Sequence, residues 1–200
     1  MGINLIEKGY NDVQAVNPGE FVQLPANGYV CRIVNAEFTQ SKAGNLMLVL
    51  YIDIAEGDFA GHFKAAVDRV KSSRPDIKWD NSGVYRQLVL DSSGRVARFF
   101  KGLLTSISKS NNIQLTLNNF EADSLRGLLC GFVFGDEEYE KKNGDIATRT
   151  FAKFPRTADD IREGKFTVPE LKKLQNTAPA KPKSNDPFGG TPVDDEDIPF

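Results

Sequence analysis

The sequence predicts a mainly β fold: five strands with one helix between the third and fourth, short outer helices and an acidic tail. Three observations carry this. Residues Leu46 to Ile54 alternate, with Leu46, Leu48, Leu50, Ile52 and Ile54 on one face, as a half-buried strand requires. Val96, Phe99, Phe100, Leu103, Leu104 and Ile107 recur at helical spacing and form one apolar stripe. Asn143-Gly144 sits between two β-rich runs, and both residue types tolerate the positive φ of a tight hairpin turn. A chain of 200 residues, 40% of them hydrophobic and 14 of them Phe, can bury one core without covalent staples.

The elements follow in order. The cluster Pro25-Ala-Asn-Gly28 precedes a β-rich run, Tyr29 to Phe38, and Ser41 to Asn45 turns that run into the alternating strand. The third strand is less regular; it is Gly57 to Ala66, Val84 to Leu90, or both around an insertion. The helix comes next, with Asp91, Ser92 or Ser93 available to cap it and its apolar positions Phe99, Phe100 and Leu103 assigned to the core. A further helical turn fits Glu121 to Leu125. Leu128 to Phe134 and Ile146 to Phe154 then make the last hairpin, and Thr157 to Glu163 and Pro169 to Leu174 read as outer helices. Strand, strand, broken strand, helix, strand, strand is the order of the oligonucleotide-binding (OB) barrel. A three-layer α/β fold would need helices between most strands.

Composition removes several classes. Cys31 and Cys130 lie far apart and form no pair motif, against a disulfide framework or a cysteine zinc site. His62 is the single histidine, so no site built on two imidazoles is available. The apolar run Leu46 to Ile54 is too short to cross a bilayer, and Met1 to Lys8 lacks a secretory signal pattern, so a cytoplasmic chain is expected. No Gly-rich phosphate loop or serine elbow is present. Asp136, Glu137 and Glu138, and also Asp53, Glu56 and Asp58, could hold magnesium as nucleases do, but no lysine stands at a telling offset and hairpin-edge acids are usually just solvated. The expectation is a binding protein without enzymatic activity, cofactor or metal.

Charge divides the chain in two. From 178 onward two lysines face five acids, leaving −3 there; the whole-chain −2 then leaves +1 for the rest. Residues 1–176 are therefore assigned to a folded domain. Residues 177–200 form a linker rich in Pro, Gly and small polar residues, whose composition predicts disorder, and end in an acidic peptide. That peptide is Asp194, Asp195, Glu196, Asp197, Ile198, Pro199 and Phe200. A merely solubilising tail gains nothing from closing on Ile-Pro-Phe. A terminal ring beside a stiffening proline, with acids to steer it, suits docking on a basic-rimmed partner surface.

The last seven residues resemble the terminal peptide of bacterial single-stranded DNA-binding proteins. In the body, Leu24 to Ile33, Ser41 to Leu48, Asp53 to Gly57 and Ile161 to Glu170 resemble single-stranded DNA-binding proteins of phages that infect Gram-positive bacteria. The resemblance implies an OB domain that coats single-stranded DNA in replication, recombination or repair. It also implies a tail that recruits the enzymes of those processes, and it leaves a homo-oligomer open. Ordinary bacterial members lack a segment as long as Phe63 to Val84.

Binding single strands without sequence preference needs cations for phosphates and flat rings for bases. The densest interleaving of the two is Lys64, Arg69, Lys71, Arg74 and Lys78, closed by Trp79 and followed by Tyr85 and Arg86. The same residues fit a solvated loop whose tryptophan plugs the core. Arg149, Phe151 and Lys153 form a second set on one strand face, which leaves Thr148, Thr150, Ala152 and Phe154 inward. Here Phe151 serves equally well as a core residue past which the cations reach water. Two other readings stand beside DNA binding: a β-barrel protein-interaction adaptor that never touches DNA, and a metal-dependent nuclease.

Overall fold

The computed structural model describes residues 23–174, so the linker and the acidic peptide lie outside the described residues. Strands β1 (Gly28–Gln40) and β2 (Leu46–Ile54) are followed by helix α1 (His62–Lys71), a 3-10 turn at Asn81–Gly83 and strand β3 (Val84–Leu88). Helix α2 (Arg98–Asn111) leads through a second 3-10 turn, Ala122–Leu125, to β4 (Leu129–Glu140), β5 (Ile146–Arg156) and helix α3 (Ala158–Arg162). All five strands form one antiparallel sheet in the order β3-β2-β1-β4-β5.

The sheet is open. No ladder joins the two edge strands, β3 and β5. β3 spans only five residues, and the 3-10 turn at Asn81–Gly83 lies against β5 where a longer third strand would have paired. Gly57 to Ala66, one of the two sites expected for strand three, is a turn leading into α1 instead. Gly61 takes a left-handed φ of 77°, which ends any extended path, and the Phe63 amide donates to the Asp53 carboxylate at 2.9 Å. The β2 side chain thus fixes where α1 begins.

Helix α2 covers one face of the sheet. Phe100, Leu103, Leu104 and Ile107 are buried against Ile33, Leu48, Leu50, Ile52, Phe132 and Phe134. Each fully buried side chain of this size contributes about 1.5–3 kcal/mol relative to exposure. Phe99, expected in the core, is 75% exposed, and Val96 is 58% exposed. The helix starts at Arg98, so Val96 precedes it and instead bridges to Leu90. Phe99 stands about 100° around the axis from Phe100, outside the buried stripe. Asp91 does not cap α2 either. Ala97 occupies that place, and the Asp91 carboxylate accepts from the Ser93 and Arg95 amides at 2.9 and 3.1 Å within its own turn.

On the other sheet face a smaller cluster of Val30, Val133, Ala158 and Ile161 lies under α3, whose first turn is capped by Thr157 Oγ1 accepting from the Asp160 amide. Residues 169–174, expected as a helix, are extended. β1 pairs with β4 only as far as Val133, with one more bond from the Phe134 amide to Asn27 O at 2.7 Å, which leaves that edge of β4 open further on. Lys172 fills that edge: its amide donates to Asp136 O at 3.0 Å and its carbonyl accepts from the Glu138 amide at 2.9 Å. Cys31 and Cys130, 99 positions apart in sequence, are direct cross-strand partners, both buried and both free thiols. Among the described residues no helix is long and apolar enough to cross a membrane.

Candidate nucleic-acid interface

The β4–β5 hairpin builds the most chemically pointed surface. Its turn is Lys141 to Asp145, closed by Lys141 N donating to Asp145 O at 2.8 Å, with Gly144 at φ 87°. That turn sets the register that pairs Glu137 with Arg149 and Tyr139 with Ala147. Diagonal neighbours then meet. The Arg149 guanidinium lies 4.7 Å from the Tyr139 ring centroid and 4.6 Å from that of Phe151, and Lys153 Nζ is 5.4 Å from Phe151. Ring, guanidinium, ring and ammonium thus form a ladder along one side of the hairpin. Contacts of this kind contribute about 0.5–1 kcal/mol each when exposed and hold the cations in place.

Arg149 is exposed and Phe151 and Lys153 are half-buried, so the ladder is open to solvent in part, between the two readings that the sequence left open. The opposite set is only partly inward. Thr150 is buried and Ala152 packs on the core, but Thr148, near the hairpin turn, is exposed, and at the other end Phe154 is 48% exposed. A bulge explains the change: Val133 pairs with Phe154 and Phe134 with Ala152, so Lys153 is an extra residue and the alternation resets past it. Glu137 binds Lys153 and also lies 3.5 Å from Lys172. Burial pushes the Glu137 carboxyl up, but the bond to Lys153 and the charges of both lysines more than offset this, leaving it below its ordinary value. Part of the Lys153 charge is therefore already answered within the protein.

A cleft of about 460 Å³ lies between this ladder and the start of α1. Tyr139 and Thr148 to Phe151 line one side; His62, Phe63 and Asp80 to Ser82 line the other. The cleft thus follows the seam where the sheet fails to close. α1, which starts at its wall, carries Lys64, Arg69 and Lys71, all exposed; Lys64 is paired with Asp68 one turn on. Arg74 and Lys78 follow, also exposed, and Arg86 is exposed on β3.

The two rings of that segment are placed differently from its cations. Trp79 is half-buried against the core, and its indole N–H donates to Ile52 O at 3.2 Å. It closes over Gly83, where a Cβ would come within 2.8 Å of both Trp79 Nε1 and Phe63 Cγ. Tyr85 is buried, its centroid 5.1 Å from that of Phe132, and burial, with the nearby Cys130, pushes its hydroxyl up to about 12. Tyr85 therefore presents no open face to a base, and Trp79 keeps only part of its ring accessible. The segment that reads as interleaved in sequence separates into inward-packed rings, one buried and one half-buried, and solvated cations.

Of the acids weighed as metal ligands, Asp53 is spent on the Ile54 and Phe63 amides, and Glu56 pairs with Arg162 at 2.6 Å. Among the described residues no three His, Cys, Asp or Glu side chains gather as a metal site. Tyr139 was not among the expected contact residues, although it supplies half of the guanidinium sandwich. Its signal was available: a two-way turn centred on Asn143 places residue 139 diagonal to residue 149. The acidic peptide Asp194 to Phe200 lies outside the described residues. No protein-family model matches the chain, and no curated protein matches it.

Proposed function

We propose that the chain binds single-stranded DNA without strong sequence preference and has no enzymatic role. The observation that carries this is the Tyr139–Arg149–Phe151–Lys153 ladder beside the 460 Å³ cleft. Two rings spaced by a fixed guanidinium offer stacking surfaces and a phosphate contact within one strand face, which is the chemistry that single-strand recognition requires. The exposed cations of α1 and of the turn after it, Lys64, Arg69, Lys71, Arg74 and Lys78, supply further phosphate contacts on the cleft's other side. The strand order, with a helix between β3 and β4, fits an OB barrel left open at one seam, and the OB fold is a partly open barrel. In this reading the protein coats unpaired strands during replication or recombination, and Asp194 to Phe200 recruit the enzymes that act there.

Fluorescence anisotropy with labelled oligo-dT, repeated across salt concentrations, tests the proposal. Phe151→Ala should weaken binding by about 5- to 150-fold, the range for loss of one stacked base at about 1–3 kcal/mol. Arg149→Ala should also flatten the logarithmic salt slope by about 0.7, the share of one phosphate on a single strand. Absence of binding even at low salt, or equal binding of duplex DNA, overturns the proposal. The first outcome would favour a protein-interaction role for the β body.

A further inference from the structure

An apolar groove runs along helix α2. Its volume is about 560 Å³, and Phe100, Leu104, Leu115, Leu117 and Phe120 form its floor. Phe120 is held there by edge-on contacts with Phe100 at 6.4 Å and Phe38 at 6.0 Å. Lys101 and Lys109 stand on the rim, both exposed. From residue 92 to residue 120 the sequence contains Arg95, Arg98, Lys101 and Lys109 and no acid at all. The groove is therefore apolar within and carries two lysines on its rim.

That pairing selects an occupant. A second copy related by a twofold axis would bring Lys101 and Lys109 against their own equivalents, and like charges facing each other cost several kcal/mol. An uncharged peptide would leave the rim unanswered. The complement is a short segment with acids followed by apolar residues, and residues 194–200 are one: four consecutive acids, then Ile198, Pro199 and Phe200. We propose that the α2 groove is the docking site of the chain's own last seven residues. Phe200 and Ile198 fill the apolar floor, and Asp194 to Asp197 lie along the lysine rim.

Reach and affinity both permit it. Nineteen residues, 175–193, separate Leu174 from Asp194. Such a segment spans up to about 60 Å when extended and about 25 Å as a coil. A folded body of this size has a radius of gyration of about 15 Å. Tethering at this length gives an effective concentration near the millimolar range, so even a weak peptide–groove contact is substantially occupied. The α2 groove shares no lining residue with the cleft beside β5, so this inference stands whether or not the chain binds DNA. It gives the terminal peptide a resting place from which a partner must displace it.

Amide NMR spectra of the full-length protein test the proposal. Phe200→Ala should shift the amides of Lys101, Leu104, Thr105, Ser108 and Leu117, to the same extent at low and high protein concentration. In a Lys101→Glu, Lys109→Glu background, both sites being exposed, the shift produced by Phe200→Ala should be lost. Three results overturn the proposal: no response anywhere in α2, a response that falls on residues 149–153 instead, or one that disappears on dilution and so reports a second copy.

Discussion

His62 is half-buried at the cleft wall, its ring edge-on to Phe63 with centroids 5.0 Å apart. Burial lowers its pKa from the ordinary 6.5, and the charges of Asp53 and Asp80 oppose this only in part. The folded protein thus prefers the neutral imidazole. The unfolded chain takes up a proton at higher pH, so stability is complete above about pH 6.5 and falls as pH drops towards the lower folded value. Urea unfolding between neutral pH and pH 5 should show this loss, and His62→Gln should remove its share of the slope; an unchanged slope in that variant would falsify the assignment. Residues were only partly legible in the sequence. Arg149, Phe151 and Lys153 read correctly as one face because a strand alternates. The sequence left Trp79 open between stacking on bases and plugging the core and set Tyr85 beside the cations, because adjacency to cations says nothing about which way a ring turns.

At the scale of elements, local signals served well wherever the chain itself makes the contact. The Asn143-Gly144 turn, the alternation in β2 and the stripe in α2 each concern residues close in sequence. Segments shaped by distant partners were not legible. Residues 169–174 are extended because β4 offers an unpaired edge, and α1 begins where it does because a carboxylate reaches it from β2. This second link can be measured. Asp53→Ala leaves the buried Phe63 and Ile54 amides without their acceptor and should cost about 1–3 kcal/mol in chemical denaturation. Asp53→Asn keeps an acceptor oxygen and should recover most of that loss. Equal effects from the two substitutions would show that the charge, rather than the hydrogen bonds, anchors the helix.

The described residues keep the expected order of strands, with α2 between the third and fourth, but add helix α1 and lack the expected closure. Order is set by the sequence of local signals, whereas closure depends on whether two edge strands are long enough to meet. A strand of five residues and a 3-10 turn do not reach β5, and the resulting gap is where the cleft lies. Long-range pairing also brought together what sequence distance kept apart: Cys31 and Cys130 face each other across β1 and β4. Burial holds both thiols well above their ordinary pKa, so almost no thiolate exists at neutral pH. An alkylating reagent can therefore reach neither sulfur until the central strands separate. Iodoacetamide should label the two cysteines together, at a rate set by global opening, which mass spectrometry can follow over time. The pair thus acts as an internal clock for opening of the fold. Brisk modification of just one sulfur in native buffer would reveal instead that this part of the sheet breathes independently.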